Sequence, residues 1–419
     1  MKQYLARLID KTLAREMEAM GCVAIEGPKW CGKSTTGEQF AKTVIKLQDP
    51  IVFRQYSGFA ATSREHLLAG EKPLMFDEWQ KIPDIWDFIR LDIDETSSVG
   101  QYILTGSAKP QEDKSRHTGT GRIAKVTMRP MSLYESMDSS GEVSLKDIFD
   151  GKDNVFGKSK LTLDDLAFVT VRGGWPEAVK RPEQATTLNT NYFKSLTTED
   201  IIDVDGIKRN PVRAQAILRS YGRNISTFAT NQTLLDDIKA NDGTIDKTTL
   251  ASYLSALTKL FVIEDILAWS PKLRSKSIIR SSAKRQFVDP SIAATALSAK
   301  PKDLIADLET FGFLFESLCA RDLRVYAQNL DGEVYHYKDG DDLEADAIVH
   351  LSDGRWGAIE IKVGGNQIDE AAANLIKLRK KVDTNKMSEP SFLMVLTGTP
   401  HAYKRPDGVL VVPIGCLKN

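Results

Sequence analysis

The chain has 419 residues, 27% of them charged, with a formal net charge of −1. That length excludes a single small domain and points to about three, while the balanced charge excludes a global field drawing the protein to nucleic acid, so any DNA contact must come from a local basic patch. Cys22, Cys31, Cys319 and Cys416 lack disulfide or metal spacing, which predicts a reducing, cytoplasmic setting, and no apolar run approaches the length of a membrane span.

From Met1 to Met20 charged and apolar residues alternate as in an amphipathic helix, not as in a secretion signal. Cys22 to Ile25 reads as a buried strand and Thr35 to Lys46 as a helix. Between them lies Gly27-Pro28-Lys29-Trp30-Cys31-Gly32-Lys33-Ser34-Thr35, a complete G-x-x-x-x-G-K-[ST] phosphate-binding loop in its strand–loop–helix setting. The glycines let backbone N–H groups turn toward phosphate, Lys33 supplies a point charge, and the Ser34 hydroxyl can ligate Mg²⁺, so ATP and Mg²⁺ are the expected cofactors. Pro73 to Glu78 is a short apolar strand ending in two carboxylates: Asp77 to hold the metal and its water shell, Glu78 to polarise the attacking water. Gln101 to Ser107 is a further strand, and in a parallel sheet its polar end, Thr105 and Ser107, comes to the γ-phosphate side.

Residues 1 to about 135 alternate helix and strand as a parallel α/β domain does. Lys109 to Thr120 reads as an exposed loop, and a strand-like run leads from Ile123 to Arg129. Ser136 to Lys160 turns Gly-, Asp- and Lys-rich and reads as a connection into helices around Gly173-Gly174-Trp175-Pro176-Glu177. The domains are therefore expected at 1–150, 151–300 and 301–419. Helices rich in Arg and Lys follow over 190–225, with Tyr192 and Phe193 in apolar positions. A Ser/Thr-capped helix then places Leu250, Leu254, Leu257 and Leu260 on one face and runs into a strand-like Phe261 to Ile266. This pattern suits a winged helix, and equally a helical hairpin acting as a spacer.

The last third carries a second candidate site. Phe311 to Cys319 is an apolar helix bearing Glu316, followed by strands at Val334–Tyr337, Glu344–Val349 and Trp356–Val363. Asp346 lies between apolar neighbours, and Glu360 and Lys362 share a face because side chains alternate with period two. Asp346 and Glu360 could hold Mg²⁺ while Lys362 positions the attacking water of a phosphodiester hydrolysis. The alternative is an ion pair between Glu360 and Lys362 inside a vestigial fold.

With these residues in view, almost the whole chain resembles a family of bacterial and archaeal AAA-type ATPases with a C-terminal domain of unknown function built on an endonuclease-like core. The resemblance rests on Ile25-Glu26-Gly27-Pro28 with the phosphate loop, Phe76 to Pro83, Leu104 to Ser107, His117 to Arg122, Arg129 to Glu135, and Glu360-Ile361-Lys362. It implies an α/β fold made of an AAA-like parallel-sheet domain, a helical or winged-helix middle, and a C-terminal α/β domain of the PD-(D/E)xK type. It also implies that Thr105 and Ser107 act as a sensor. Arg122 is the candidate arginine finger, supplied by a second copy of the chain, with Arg116 and Arg129 as runners-up. Glu344-Ala345-Asp346 departs from the Pro-Asp pair that such nucleases carry. Two readings stand: an ATP-driven DNA-processing enzyme with a C-terminal nuclease, and an ATP-dependent switch whose C-terminal domain is an inactive docking module.

Overall fold

The computed structural model describes residues 4–107, 119–152, 155–241, 243–269, 282–382 and 387–419. The chain separates into two compact units. The first holds Met1–Arg129 with the short segments Ile202–Ile207 and Lys259–Phe261; the second holds Pro130–Ile201, Lys208–Thr258 and Val262–Asn419.

In the first unit, β1 (Cys22–Glu26), β2 (Thr43–Lys46), β3 (Leu74–Asp77), β4 (Tyr102–Gly106) and β5 (Ile123–Thr127) form a five-stranded sheet in the order β2-β3-β4-β1-β5, every neighbouring pair parallel. β1, β3 and β4 are buried along their whole length, which is why they read as continuous apolar runs: a parallel sheet is covered on both faces. Tyr102, Leu104 and Phe76 pack with Ile85, Trp86 and Ile89 of the helix Ile85–Thr96. Among the N-terminal residues the amphipathic helix runs from Ile9 to Ala19.

The helix expected over Thr35–Lys46 is not formed. It covers only Lys33–Gly37, and Thr43–Lys46 becomes β2, paired with β3 from Thr43↔Leu74 to Lys46↔Asp77. Two forces decide this. Tight bonds from Gln39 N to Thr36 O (3.0 Å) and Phe40 N to Gly37 O (3.1 Å) close the helix into turns, and the β-branched Thr43-Val44-Ile45 fits a pleated edge better than a helix.

The second unit begins earlier than the expected boundary at residue 150. The stretch 136–160, expected as a connection, is built into the C-terminal architecture: β6 (Val143–Ser144) pairs parallel with β14 (Leu417–Lys418), and β7 (Gly157–Lys158) pairs antiparallel with β12 (His401–Lys404). With β8 (Gly332–Lys338), β9 (Glu344–Leu351), β10 (Trp356–Lys362), β11 (Phe392–Thr397) and β13 (Leu410–Pro413) a seven-stranded mixed sheet results, in the order β7-β12-β13-β11-β10-β9-β8. The helix Leu308–Gln328 packs against β8, β9 and β10. The helices Pro211–Arg223, Asn231–Asn241 and Lys247–Lys259 precede a short antiparallel pairing, Ile263↔Phe287 and Ile266↔Lys284, so the strand-like Phe261–Ile266 exists as isolated bridges.

A buried ion triad ties this unit together. Arg321 is 2% exposed, and its guanidinium bonds Asp289 (3.0 Å) and Asp322 (2.7 and 2.9 Å), both fully buried. Asp322 also accepts from Leu133 N (3.0 Å) and Asp289 from Gly174 N (2.9 Å). Burial pushes Asp322 up, and Arg321 works against that rise. Gly174 has to be glycine because a Cβ there would lie 2.1 Å from Met131 O. Replacing Arg321 with alanine leaves two buried carboxylates without their cation. The expected loss is about 3–5 kcal/mol, read as a shift in the denaturant midpoint of the full chain; a loss below about 1 kcal/mol would show that the triad does not hold the unit.

Candidate functional site

The parallel register gathers the sequence motifs at one edge of the first sheet. β1 ends at Glu26, opposite Gly106 on one side and Thr127 on the other, and β3 ends with Asp77 opposite Thr105. The loop after β1 therefore opens beside the polar ends of β3 and β4. Gly27 (φ 152°) and Gly32 (φ 107°) occupy backbone conformations closed to most residues, and a Cβ on Gly27 would lie 2.1 Å from Met128 O. Lys33 is 6% exposed, and its Nζ donates to the carbonyls of Gly27 (2.9 Å) and Pro28 (2.7 Å). The Cys31 thiol donates to Met128 O at 3.4 Å, and Arg7 donates to Cys31 O at 2.8 Å, so the loop's far side is fastened from both directions. Lys29 and Trp30 are exposed, Thr35 is exposed on the first turn of the helix, and Thr36 is buried against Tyr4 (3.1 Å).

Asp77 is the centre of this edge. Its Oδ1 accepts from Ser34 Oγ and from Thr105 Oγ1, each at 2.6 Å, and its Oδ2 from Gln48 Nε2 at 3.4 Å. Two hydroxyl oxygens thus converge on a carboxylate that is only 4% exposed, at the head of the loop helix. This is a hard-oxygen donor set that fits Mg²⁺ completed by phosphate and water. Glu78 sits at φ 58° and is held at both oxygens, by Ser107 Oγ (2.7 Å) and by Gln80 Nε2. Sequence reasoning misses Gln80, although its place two residues after a strand-end glutamate is a usable signal.

Arg122 is not brought to this edge. It precedes β5 at the sheet's opposite end, where its carbonyl accepts from Cys22 N (3.1 Å) and its Nε donates to Asp94 (2.6 Å). Arg129 follows β5 on the phosphate-loop side, its carbonyl accepting from Arg7 (2.8 Å). Arg116, and all of the loop expected at Lys109 to Thr120 except its last two residues, lie outside the described residues.

In the second unit all the residues singled out from the sequence meet. β9 and β10 run antiparallel with Ala347 opposite Ile359, so Asp346 lies one step further along, beside Glu360. Lys362 Nζ is 2.9 Å from Glu360 Oε2 and 3.4 Å from Asp346 Oδ2, and Ile361 N donates to Asp346 Oδ2 at 2.8 Å. One further residue is not anticipated by the sequence. Lys284, 3% exposed on the short pairing with Ile266, places its ammonium 2.7 Å from Glu316 and 3.0 Å from Asp346 Oδ1. Burial pushes Glu316 up to about 7, against the pull of Lys284. Burial and the Asp346 charge push Glu360 up to about 8. Burial alone would raise Asp346 too, but Lys284 and Lys362 outweigh it and hold this carboxyl below the usual range. Among the described residues no cluster of three or more His, Cys, Asp or Glu is arranged to hold a metal ion. The sequence carries no signal for Lys284, which meets the cluster through its bridge to Ile266.

Comparison with known proteins divides the chain into three parts. Residues 20–137 match a family described as an AAA domain, residues 163–303 a domain of unknown function (DUF8612), and residues 311–417 another domain of unknown function (DUF4143). The chain is 23% identical over 369 residues to the uncharacterized protein Rv2008c of Mycobacterium tuberculosis and equally to the uncharacterized protein Mb2031c of Mycobacterium bovis, covering 84% of this chain and 72% of each relative. Among solved structures it is similar to the Walker-type ATPase PABY2304 of Pyrococcus abyssi, with 15% identity, TM-score 0.40, and coverage of 68% of this chain and 94% of that one. A point variant of RuvB from Thermotoga maritima follows with 15% identity, TM-score 0.27, and coverage of 61% and 88%. At these scores the structural likeness decides nothing, and the AAA-domain match together with the phosphate-loop geometry supports nucleotide binding and hydrolysis. Among the described residues no helix is long and apolar enough to cross a membrane.

Lys33→Ala removes the buried ammonium of the loop, leaving only that of the exposed Lys29, and takes away bonds to two carbonyls but no apolar core side chain. Fluorescent-nucleotide titration is expected to show ATP binding weakened by about 2–5 kcal/mol, the range for truncating one partner of a desolvated charge pair, with the circular dichroism spectrum unchanged; retained affinity would remove the loop assignment.

Proposed function

We propose that the protein is a Mg²⁺-dependent ATPase that works as a nucleotide-driven switch, acting on or with DNA, with a C-terminal domain that is an interaction module. The observation that carries the reading is the shared acceptor Asp77 Oδ1, on which the loop serine and the β4 threonine both converge at 2.6 Å. In this site Lys33 and the loop N–H groups bind and orient the phosphates, and Ser34 with Asp77 would hold Mg²⁺, which supplies charge neutralisation when bound. Glu78 orients and deprotonates the attacking water, and Ser107 reports the state of that carboxylate to β4. Because a hydroxyl can donate to a carboxylate and still offer a lone pair, Ser34 would hold the ion while keeping its bond to Asp77, so binding loads the hydrogen bonds that join the loop helix, β3 and β4. That is a physical basis for a switch.

DNA as a partner is supported by the order of elements alone, three helices followed by two antiparallel bridges, an order that a winged helix and a helical spacer both allow. Phosphate contacts would make the affinity fall steeply with salt, and a flat salt series would assign the middle region to protein contacts instead. An arginine finger from a second copy remains part of the proposal only if Arg122 leaves Asp94 on assembly.

Glu78→Gln keeps the size and shape of the side chain and one of its two acceptors but removes the base. Turnover is expected to fall by about two to four orders of magnitude while ATP stays bound; a steady-state phosphate-release assay at wild-type rate would show that another residue positions the water.

The second reading, a metal-dependent nuclease, is favoured by the convergence of Glu316, Asp346, Glu360 and Lys362. It requires Mg²⁺- or Mn²⁺-dependent cutting of DNA by the purified chain that Asp346→Asn abolishes. The switch reading expects no cutting above the Asp346→Asn background.

A further inference from the structure

The nuclease-like constellation has the residues for a metal but not the space or the charge. A divalent ion needs oxygen ligands at roughly 2.0–2.6 Å, but the expected pair, Asp346 and Glu360, already flanks the Lys362 Nζ, and Glu316 and Asp346 already flank a single point, the Lys284 Nζ at 2.7 and 3.0 Å. An ion ligated by both would have to stand where that nitrogen stands. The second ammonium, on Lys362, engages two further oxygens, 2.9 Å from Glu360 Oε2 and 3.4 Å from Asp346 Oδ2. Asp346 Oδ2 is further used by Ile361 N.

Lys284 is not a surface side chain that has swung in. Its backbone is fixed by a reciprocal pair of hydrogen bonds with Ile266, 2.9 Å in each direction, and the residue is only 3% exposed. The neighbouring residues hold it from above: its ammonium is 5.5 Å from the centre of the Phe228 ring, and that ring packs edge-on against His336 at 4.9 Å. His336 in turn bonds Ser282 O, two residues before Lys284, at 3.1 Å. The segment carrying Lys284, the helix carrying Glu316 and the sheet carrying Asp346 thus meet at the ammonium.

We propose that Lys284 is a resident cation that takes the place of a divalent metal in the C-terminal sheet, so that the native chain holds no metal there, and that a neutral side chain at position 284 converts Glu316, Asp346 and Glu360 into a Mg²⁺ or Mn²⁺ site. This inference rests on the interaction-module reading of the C-terminal domain and is independent of the ATPase.

The test uses the full-length chain without nucleotide, titrated with Mn²⁺ and followed by the electron paramagnetic resonance signal of the free ion. Lys284→Met is expected to bind about one more Mn²⁺ per chain than the wild type, and Lys284→Met with Asp346→Asn to lose that ion again. Melting gives a second readout: Lys284→Met melts lower than the wild type in the absence of metal and recovers on adding Mn²⁺, whereas the wild type does not respond. Equal Mn²⁺ stoichiometry in Lys284→Met and the wild type overturns the proposal. If Lys284→Met does not fold, the wild type decides against Glu360→Gln: loss of one bound Mn²⁺ in that variant shows that the native chain already holds a metal, and the proposal falls, while identical binding supports it. Metal-dependent cutting by the wild type would overturn this inference together with the module reading, whereas an unresponsive Lys284→Met would overturn this inference alone.

Discussion

A carboxylate taken out of water costs several kcal/mol unless donors replace its hydration, and this constraint organises both units. Asp77 is 4% exposed and lives on two hydroxyls and an amide. Asp289 and Asp322 live on one guanidinium, on backbone N–H groups and on the Ser291 and Tyr326 hydroxyls. Glu316, Asp346 and Glu360 live on two ammoniums. In each case the partner determines what the acid can do. A hydroxyl is neutral and can be exchanged for a metal ion at little cost, so Asp77 stays available to a ligand. An ammonium carries the compensating charge itself, and its removal leaves the carboxylate stranded.

The same chemistry therefore gives opposite outcomes at the two sites. At the end of β3 the structure keeps an acid with replaceable partners, beside a loop whose buried Lys33 ammonium is bound to carbonyls at 2.7 and 2.9 Å. Within the C-terminal sheet it surrounds an equally convergent set of acids with fixed cations. Residue identity makes the two look alike; the sign and tethering of their partners separate them.

Much of the first site is legible because its information is local. The phosphate loop, the strand ending in Asp77-Glu78 and the strand ending in Thr105 each declare themselves within a few residues, and a parallel sheet can only bring such ends to one edge. The stretch Thr35–Lys46 misleads because its apolar spacing suits a helix as well as a strand, and pairing with Leu74–Asp77 settles it. The C-terminal pattern also reads correctly, since alternation along β10 and a hairpin with β9 suffice to join Asp346, Glu360 and Lys362. Lys284 is invisible because it reaches the cluster from 62 residues before Asp346, through bridges that no periodicity announces.

Two conspicuous segments of the sequence serve packing. Ser132, Leu133 and Glu135 form a closed polar turn, with Ser132 N bonded to Glu135 at 2.8 Å and Leu133 N delivered to Asp322. Gly173 and Gly174 let a second turn press against Asp289 and Met131, with Trp175 Nε1 on Ser291 Oγ at 2.9 Å. Both turns converge on the Arg321 triad, deep in the second unit. A motif of small, polar and aromatic residues is what a buried charge demands of the chain around it: glycine for close approach, backbone N–H groups as donors, and an aromatic wall to keep water out. The distinctiveness of these segments thus follows from the cost of burying Asp289 and Asp322, and needs no ligand to explain it.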